Sequence, residues 1–332
     1  MSTLVNAPQL DQKGLSSITK RLINASETRS MSTSKDHPWD DPVTRNPILR
    51  KRERVSIYGT PYWDLAAENE REELAKEEVI TWWSGFIHFE GLVSEYYMRV
   101  INNGEFRKLP YIEEYMKHFV KEEIVHTIVF DKAIRYYGSE LYQAPEFMRS
   151  FYDDNAGTGE YPLMAVYLTM VIEWIADLYQ RLDVDADYVH PLAKAVVREH
   201  WKEETRHIKW GQSMIVSLAN ADPEFQLRAR EMTPVYLRQL IDQGVTNTEC
   251  FERIGIKHGA FQDHEKLLEA VLYSPHRQQL NEDLAIPLIR YFVSAGIYDD
   301  KYRDLWESQG FGEVINVVVR ERGKKNGKVE EH

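Results

Sequence analysis

The sequence predicts an all-α protein built on a four-helix bundle with additional flanking helices. From Gly59 onward, apolar residues recur at spacings of three and four, which is the helical period. Strand patterns are nearly absent, and the breaks carry helix-stopping and helix-starting residues, such as Asn103-Gly104 followed by Pro110. The long helices are predicted at about 74–103, 110–137, 162–184 and 187–219, with shorter ones near 62–72, 140–152, 222–242 and 264–296.

The composition excludes several classes of protein. The chain has 332 residues and a formal net charge of −12, which argues against general binding to nucleic acid or anionic membranes. Its single cysteine, Cys250, cannot form an internal disulfide, and no stretch approaches 18 uninterrupted apolar residues. Because the N-terminus also lacks a basic start followed by an apolar stretch, we expect a cytoplasmic protein.

Residues 1–58 are rich in Ser, Thr, Asp, Arg and Pro, and predict a flexible or partly helical arm. A basic cluster in this arm is expected to be a solvated linker, although docking of an acidic partner stays open. This cluster consists of Arg45, Arg50, Lys51, Arg52 and Arg54. The bundle follows over 59–220, starting at the helix-capping pair Thr60-Pro61, with further helices over 221–312 packed on it and a charged tail over 313–332.

Two predicted long helices contain the motif Glu-x-x-His, as Glu123-Ile-Val-His126 and Glu204-Thr-Arg-His207. A chain of this composition produces about one such pair by chance, so the motif alone is weak evidence. Both pairs, however, lie inside apolar helices, where a Glu three residues before a His shares its face. Charges there are costly unless they are paired or bound to a metal ion.

Each pair is also preceded by a Glu in an apolar helix. Glu173 lies 31 residues before Glu204, and Glu90 lies 33 residues before Glu123. One Glu from each of two helices and Glu-x-x-His from the other two is the arrangement with which ferritin-like bundles bind two iron or manganese ions. Four carboxylates against two divalent ions would leave a nearly neutral buried site.

Each of these residues also has a simpler interpretation. A single histidine on an apolar face is more often a hydrogen-bonded core residue than a ligand, and Glu204 could pair with Arg206 or Lys209. We expect Lys202, Glu203 and Arg206 to lie on a more solvated flank, although Glu203 could be a substitute ligand. Taken together, the simpler interpretations require too many coincidences, so the metal site is the favoured prediction.

A third histidine, His200, lies four residues before Glu204 and falls on the same helical stripe as Glu204 and His207. With it, the segment 59–217 resembles the p-aminobenzoate N-oxygenase family of ferritin-like diiron proteins, whose last bundle helix carries His-x-x-x-Glu-x-x-His. The resemblance implies seven metal ligands: Glu90, Glu123, His126, Glu173, His200, Glu204 and His207. Glu95 competes with Glu90 on the same helix.

The chain departs from the family pattern at Glu122 and Glu203, where the family usually has Asp before the motif glutamate. The resemblance implies an oxygenase that uses two iron ions and O2 to convert a primary amine to the hydroxylamine, nitroso or nitro level in natural-product biosynthesis. Manganese could replace iron. The implied partners are a small amine or an amino acid tethered to a carrier protein, an external reductase, and a second copy in a homodimer.

Two other functions stay open. Enzymes that hydroxylate C–H bonds or form double bonds use a similar set of metal ligands. Only the third histidine argues against these reactions. An iron-binding or ferroxidase protein without an organic substrate is the alternative from another class.

Overall fold

The computed structural model describes residues 12–43, 47–104, 106–144, 148, 162–243 and 247–327. These residues form twelve α-helices and no strand, which confirms the all-α fold class. The four long helices are α3 (Glu68–Asn103), α4 (Pro110–Tyr136), α5 (Pro162–Gln180) and α6 (Pro191–Ala221). The others are α1 (Gln12–Thr28), α2 (Pro61–Leu65), α7 (Pro223–Gln243), α8 (Glu249–Ile254), α9 (His264–Leu272), α10 (Pro275–Ser294), α11 (Arg303–Ser308) and α12 (Gly312–Gly327).

Helices α3, α4, α5 and α6 pack together as the bundle. Prolines in the first turn begin α4 and α6, where their missing N–H groups have no helical partner to lose. Gly104 ends α3 in the left-handed conformation, with φ 74°, as a glycine C-cap does. A continuous core joins the bundle to α7, α10, α11 and α12, so the C-terminal helices complete the same hydrophobic interior.

Several predicted helix boundaries are wrong. The predicted helix at 62–72 divides into α2 and α3, and the one at 264–296 divides at Ser274-Pro275, where Ser274 caps α10. Residues 140–144 are not helical, and the rest of the helix predicted at 140–152, apart from Met148, lies outside the described residues. The region 313–332, which was expected to be a charged tail, begins with helix α12. This helix forms because Val314, Ile315 and Val318 supply a buried apolar face.

The arm is helical over α1, which packs on α4 and α6. The solvated-linker interpretation of the basic cluster is wrong for Arg50 and Arg54, which are buried. Lys51 and Arg52 form ion pairs with Asp185 and Glu68, and Arg45 lies outside the described residues. Most of this cluster is therefore engaged within the protein.

Candidate metal centre

The four bundle helices bring all seven predicted ligand residues into one buried region. Glu90 comes from α3, Glu123 and His126 from α4, Glu173 from α5, and His200, Glu204 and His207 from α6. Each side chain is at most 1% exposed. The i, i+3 and i, i+4 spacings place the α4 and α6 residues on the inward faces of their helices.

Six of the seven residues form two groups whose ligand-type atoms lie within 4.8 Å of one another. One group is Glu90, His126 and His200, and the other is Glu123, Glu204 and His207. In the first, His200 Nε2 lies 3.1 Å from Glu90 Oε1. In the second, His207 Nδ1 lies 2.9 Å from Glu123 Oε1.

Glu204 lies between the two groups. Its Oε1 is 3.3 Å from His126 Nδ1 and 3.2 Å from His200 Nε2, whereas its Oε2 is 3.1 Å from His207 Nδ1. One carboxylate thus presents an oxygen to each group, which is the geometry of a carboxylate that bridges two ions.

Glu173 belongs to neither group, but it lies in the same electrostatic environment. Burial raises the pKa of Glu173 well above its ordinary value, and the charges of Glu204 and Glu123 raise it further. Neither of its carboxylate oxygens has a hydrogen-bond partner among the described residues. Glu173 is therefore a buried carboxylate near the two groups whose oxygens are free to bind an ion.

The donor atoms fit divalent ions. Both oxygens of Glu173, Oε2 of Glu90 and Oε2 of Glu123 are buried and have no hydrogen-bond partner among the described residues. Oε1 of Glu123 and Oε1 of Glu204 face only imidazole nitrogens. Unpaired carboxylate oxygens in a protein interior are costly unless a cation neutralises them. Mixed carboxylate and imidazole donors suit iron and manganese, so these residues could hold two such ions.

Electrostatics within the site follow from burial and crowding. Burial raises the pKa of Glu90 well above its ordinary value, with Glu123 and Glu204 contributing. Burial lowers the pKa of His200 to about 3, so its imidazole is neutral and can offer a lone pair. By contrast, the carboxylates around His207 raise its pKa well above the ordinary value against the effect of burial.

Two carboxylates outside the set of candidate ligands, those of Glu203 and Glu122, accept hydrogen bonds from His126 and His207. His126 Nε2 donates to Glu203 Oε2, and His207 Nε2 donates to Glu122 Oε2, each at 2.9 Å. A carboxylate only accepts hydrogen bonds, so each Nε2 carries a proton, and Nδ1 is the nitrogen that faces the acidic cluster and would bind a metal ion after losing its own proton. Outer carboxylates commonly fix the tautomer and orientation of metal-binding histidines in this way.

Arg206 joins these two carboxylates. Its Nη2 donates to Glu122 Oε1 and to Glu203 Oε1, both at 2.9 Å, and the backbone N–H of Met31 adds a 2.7 Å bond to Glu203. The expected solvated flank is therefore wrong for Glu203 and Arg206, which are buried. The sequence spacing of Glu203 and Arg206 gave no sign that each would contact a residue of α4, Glu203 through His126 and Arg206 through Glu122.

Gln180 and Met31 were missed by the sequence reasoning. Gln180 Oε1 accepts a 3.0 Å hydrogen bond from His200 Nδ1, which directs His200 Nε2 toward Glu90 and Glu204. Neither residue belongs to a motif, because both act through contacts between distant segments. Glu95, the predicted competitor of Glu90, instead pairs with Arg99 at the surface.

A small pocket of about 30 Å³ lies near His200, and Phe86, Gln180 and Val197 line its wall on that side. Its other lining residues include the apolar Trp82 and Val79 and the charged Arg50, Asp183 and Lys194. Phe86 also packs edge-on against the His200 ring, with centroids 4.9 Å apart. The candidate site thus adjoins a mostly apolar space on the side of the third histidine.

The fold and this set of side chains define a ferritin-like protein with a candidate dinuclear metal centre. A family model described as "P-aminobenzoate N-oxygenase AurF" matches residues 12–296. The chain belongs to this family of diiron-dependent oxygenases. The match extends beyond residues 59–217 into both flanking regions. No curated protein matches the chain.

Proposed function

We propose that this protein is a diiron amine N-oxygenase that converts a primary amine to a hydroxylamine, nitroso or nitro product in natural-product biosynthesis. The observation that carries the proposal is the pair of buried Glu/His groups, of which the second contains Glu204, whose Oε1 also contacts the histidines of the first. Family membership supports oxygenase chemistry at this site.

In this proposal, Glu90, His126 and His200 would hold one iron, and Glu123 and His207 would hold the other. Glu204, whose two oxygens face different groups, could contribute to both ions, and Glu173 would supply a further carboxylate. When bound, two ferrous ions supply electrons for the reduction of O2. Glu122, Glu203 and Gln180 keep the three imidazoles in the tautomer that presents a lone pair to the ions.

The small pocket near His200 is the proposed entrance for the amine, and its lining side chains would have to move to admit a substrate. The apolar residues Trp82, Phe86 and Val197 would then shield the reacting nitrogen from water, and the neutral imidazole of His200 adds no charge to the site. The first oxidation consumes one amine, one O2, two electrons and two protons, and yields one hydroxylamine and one water. An external reductase supplies the electrons.

A small amine and an amino acid on a carrier protein are both compatible substrates. Among the described residues, no helix has the length and hydropathy to cross a membrane. We propose a cytoplasmic homodimer. Size-exclusion chromatography with light scattering checks the assembly, because a large hollow oligomer would favour iron storage instead.

Metal analysis is the primary test. After anaerobic loading with ferrous iron and removal of loose metal, we expect about two irons per chain, and fewer in Glu173→Ala and His207→Ala. An amine screen with O2 and a chemical reductant then follows product mass, where each added oxygen atom on nitrogen identifies the oxidation level. Absence of retained iron would refute the metal centre, and iron turnover without amine oxidation would favour the ferroxidase alternative.

A further inference from the structure

Three buried arginines form a second polar cluster, at the end of the bundle near the arm. Arg50 and Arg54 come from the segment before α2, and Arg277 comes from the first turn of α10. They are 3%, 7% and 3% exposed. Arg54 stacks on the ring of Tyr179, with its guanidinium carbon 3.9 Å from the ring centroid.

The acidic residues around this cluster do not balance its charge. Arg50 Nη1 bonds Glu78 Oε2 at 2.7 Å, and Asp183 lies 3.7 Å from Arg50 Nε and 3.9 Å from Arg54 Nε. Among the described residues, the Arg277 guanidinium forms no ion pair with a carboxylate, and its side-chain partner is Tyr179. Three arginines against two carboxylates leave one uncompensated positive charge in the interior, which is costly without an anion.

Several donors in the cluster have no hydrogen-bond partner among the described residues. They are Nε and Nη1 of Arg54, Nε and Nη2 of Arg277, Nε of Arg50 and Nδ2 of Asn281. Asn281 is 5% exposed and lies one helical turn after Arg277, on the same face of α10. Buried N–H groups are nearly always paired, so this concentration of unpaired donors points to a ligand.

We propose that Arg54, Arg277 and Asn281 bind an oxyanion, either a carboxylate or an inorganic oxyanion. The planar guanidinium presents parallel N–H groups that match two oxygens of such an anion, and the anion neutralises the excess charge. This site is separate from the metal centre, and only its occupation from the pocket near His200 rests on the proposed oxygenase function.

The anion has two chemical sources. Arg50, Tyr179 and Asp183 also line the small pocket near His200, so the anion could be the acidic end of a molecule that enters this pocket. It could equally be a free inorganic anion held between the arm and α10. Both sources use the same donors, and the choice of probe distinguishes them.

Calorimetric titration of the full-length, iron-loaded protein tests the site with two probes, inorganic sulfate and benzoate, at constant ionic strength set with chloride. We expect saturable binding of at least one probe. Arg277→Gln should weaken it by about tenfold or more, since it removes charge-assisted hydrogen bonds. The matched control is Arg290→Gln, because Arg290 lies exposed on the same helix and pairs with Glu321, and it should bind as the wild type does.

Binding of sulfate alone identifies a free anion, whereas binding of benzoate that is also lost in the pocket-narrowing variant Ala193→Leu identifies an occupant of the pocket. Should Arg277→Gln fail to fold, Asn281→Ala keeps the charge and should still weaken binding. The proposal is overturned if neither probe binds more strongly than chloride, or if Arg277→Gln or Asn281→Ala binds as tightly as Arg290→Gln.

Discussion

Glu90 and Glu95 lie five positions apart on α3 but occupy opposite environments. Glu90 is fully buried beside His126 and His200, whereas Glu95 pairs with Arg99 in solvent. We expect Glu90→Ala to reduce bound iron below two per chain and Glu95→Ala to leave it unchanged, because only Glu90 offers a buried, unpaired oxygen. Elemental analysis of both variants after identical loading decides this, and equal iron content would contradict the assignment.

Glu122 is not a candidate ligand itself but accepts a hydrogen bond from His207 in the candidate metal centre. Hydrogen bonds from His207 and Arg206 lower the pKa of Glu122 to about 2 despite its burial, so it is ionised in the folded protein. Glu122→Gln removes that charge and should lower iron affinity by about 10- to 100-fold. Competition with a chromogenic chelator measures the affinity, and the Mössbauer spectrum reports the altered imidazole.

The control for Glu122 is Glu114→Gln, on the exposed face of the same helix. It should bind iron as the wild type does. A Glu122→Gln protein with unchanged affinity and an unchanged spectrum would show that the carboxylate only stabilises the fold.

At the scale of elements, α5 and α6 approach closely where Gly211 faces Met170. A Cβ atom on Gly211 would lie 1.8 Å from Met170 Sδ, so a side chain there forces Met170 to move. We expect Gly211→Ala to lower the free energy of unfolding by about 1–3 kcal/mol through overpacking. Urea denaturation measures this change.

Gly91 in α3 provides the opposite case, because nothing lies within 4 Å of its added Cβ. Gly91→Ala should raise stability by about 0.5–1 kcal/mol, since alanine loses less backbone entropy in a helix. Equal effects at both glycines would show that helix propensity, and not the contact between α5 and α6, governs Gly211.

The arm is far from the candidate ligands in the sequence, yet it contacts a residue that supports one of them. Leu15 and Ile23 on α1 are buried, and Met31, three residues after this helix ends, donates its backbone N–H to Glu203. The arm therefore packs against the side of the bundle that holds His126. The sequence predicted that the arm would be partly helical, but it did not indicate which helices the arm would pack against.

For the whole molecule, Asp177 predicts a pH dependence of stability. Burial raises the pKa of Asp177 to about 7, because the effect of burial and the charge of Glu204 outweigh the attraction of Arg181. A raised folded-state pKa gives stability that is complete below the unfolded value of about 3.9 and is lost as the pH rises toward 7. Because of Asp177, the free energy of unfolding should thus fall by about 2 kcal/mol between pH 5 and pH 7.

Asp177→Asn does not ionise and should lack this loss, so its stability relative to the wild type should increase from pH 5 to pH 7. Urea denaturation of the metal-free proteins at several pH values measures the difference. Asp187→Asn is the control, because Asp187 is exposed, and its profile should parallel that of the wild type. A constant difference between Asp177→Asn and the wild type would contradict the prediction.

The sequence by itself determined the helical class and the two ligand motifs, because both depend on local periodicity, and the family resemblance implied the full set of seven candidate ligands. Residues three, four and seven apart share a helical face wherever the helix packs, so Glu123-x-x-His126 and His200-x-x-x-Glu204-x-x-His207 could be recognised directly.

Only the tertiary structure decided which residues support and surround those ligands. The bonds from His207 to Glu122, from His126 to Glu203 and from His200 to Gln180 each join different helices. The burial of Arg50 and Arg54 likewise depends on the packing of the arm against the bundle. Such contacts are set by how helices pack around a common core, which no spacing within a single segment specifies.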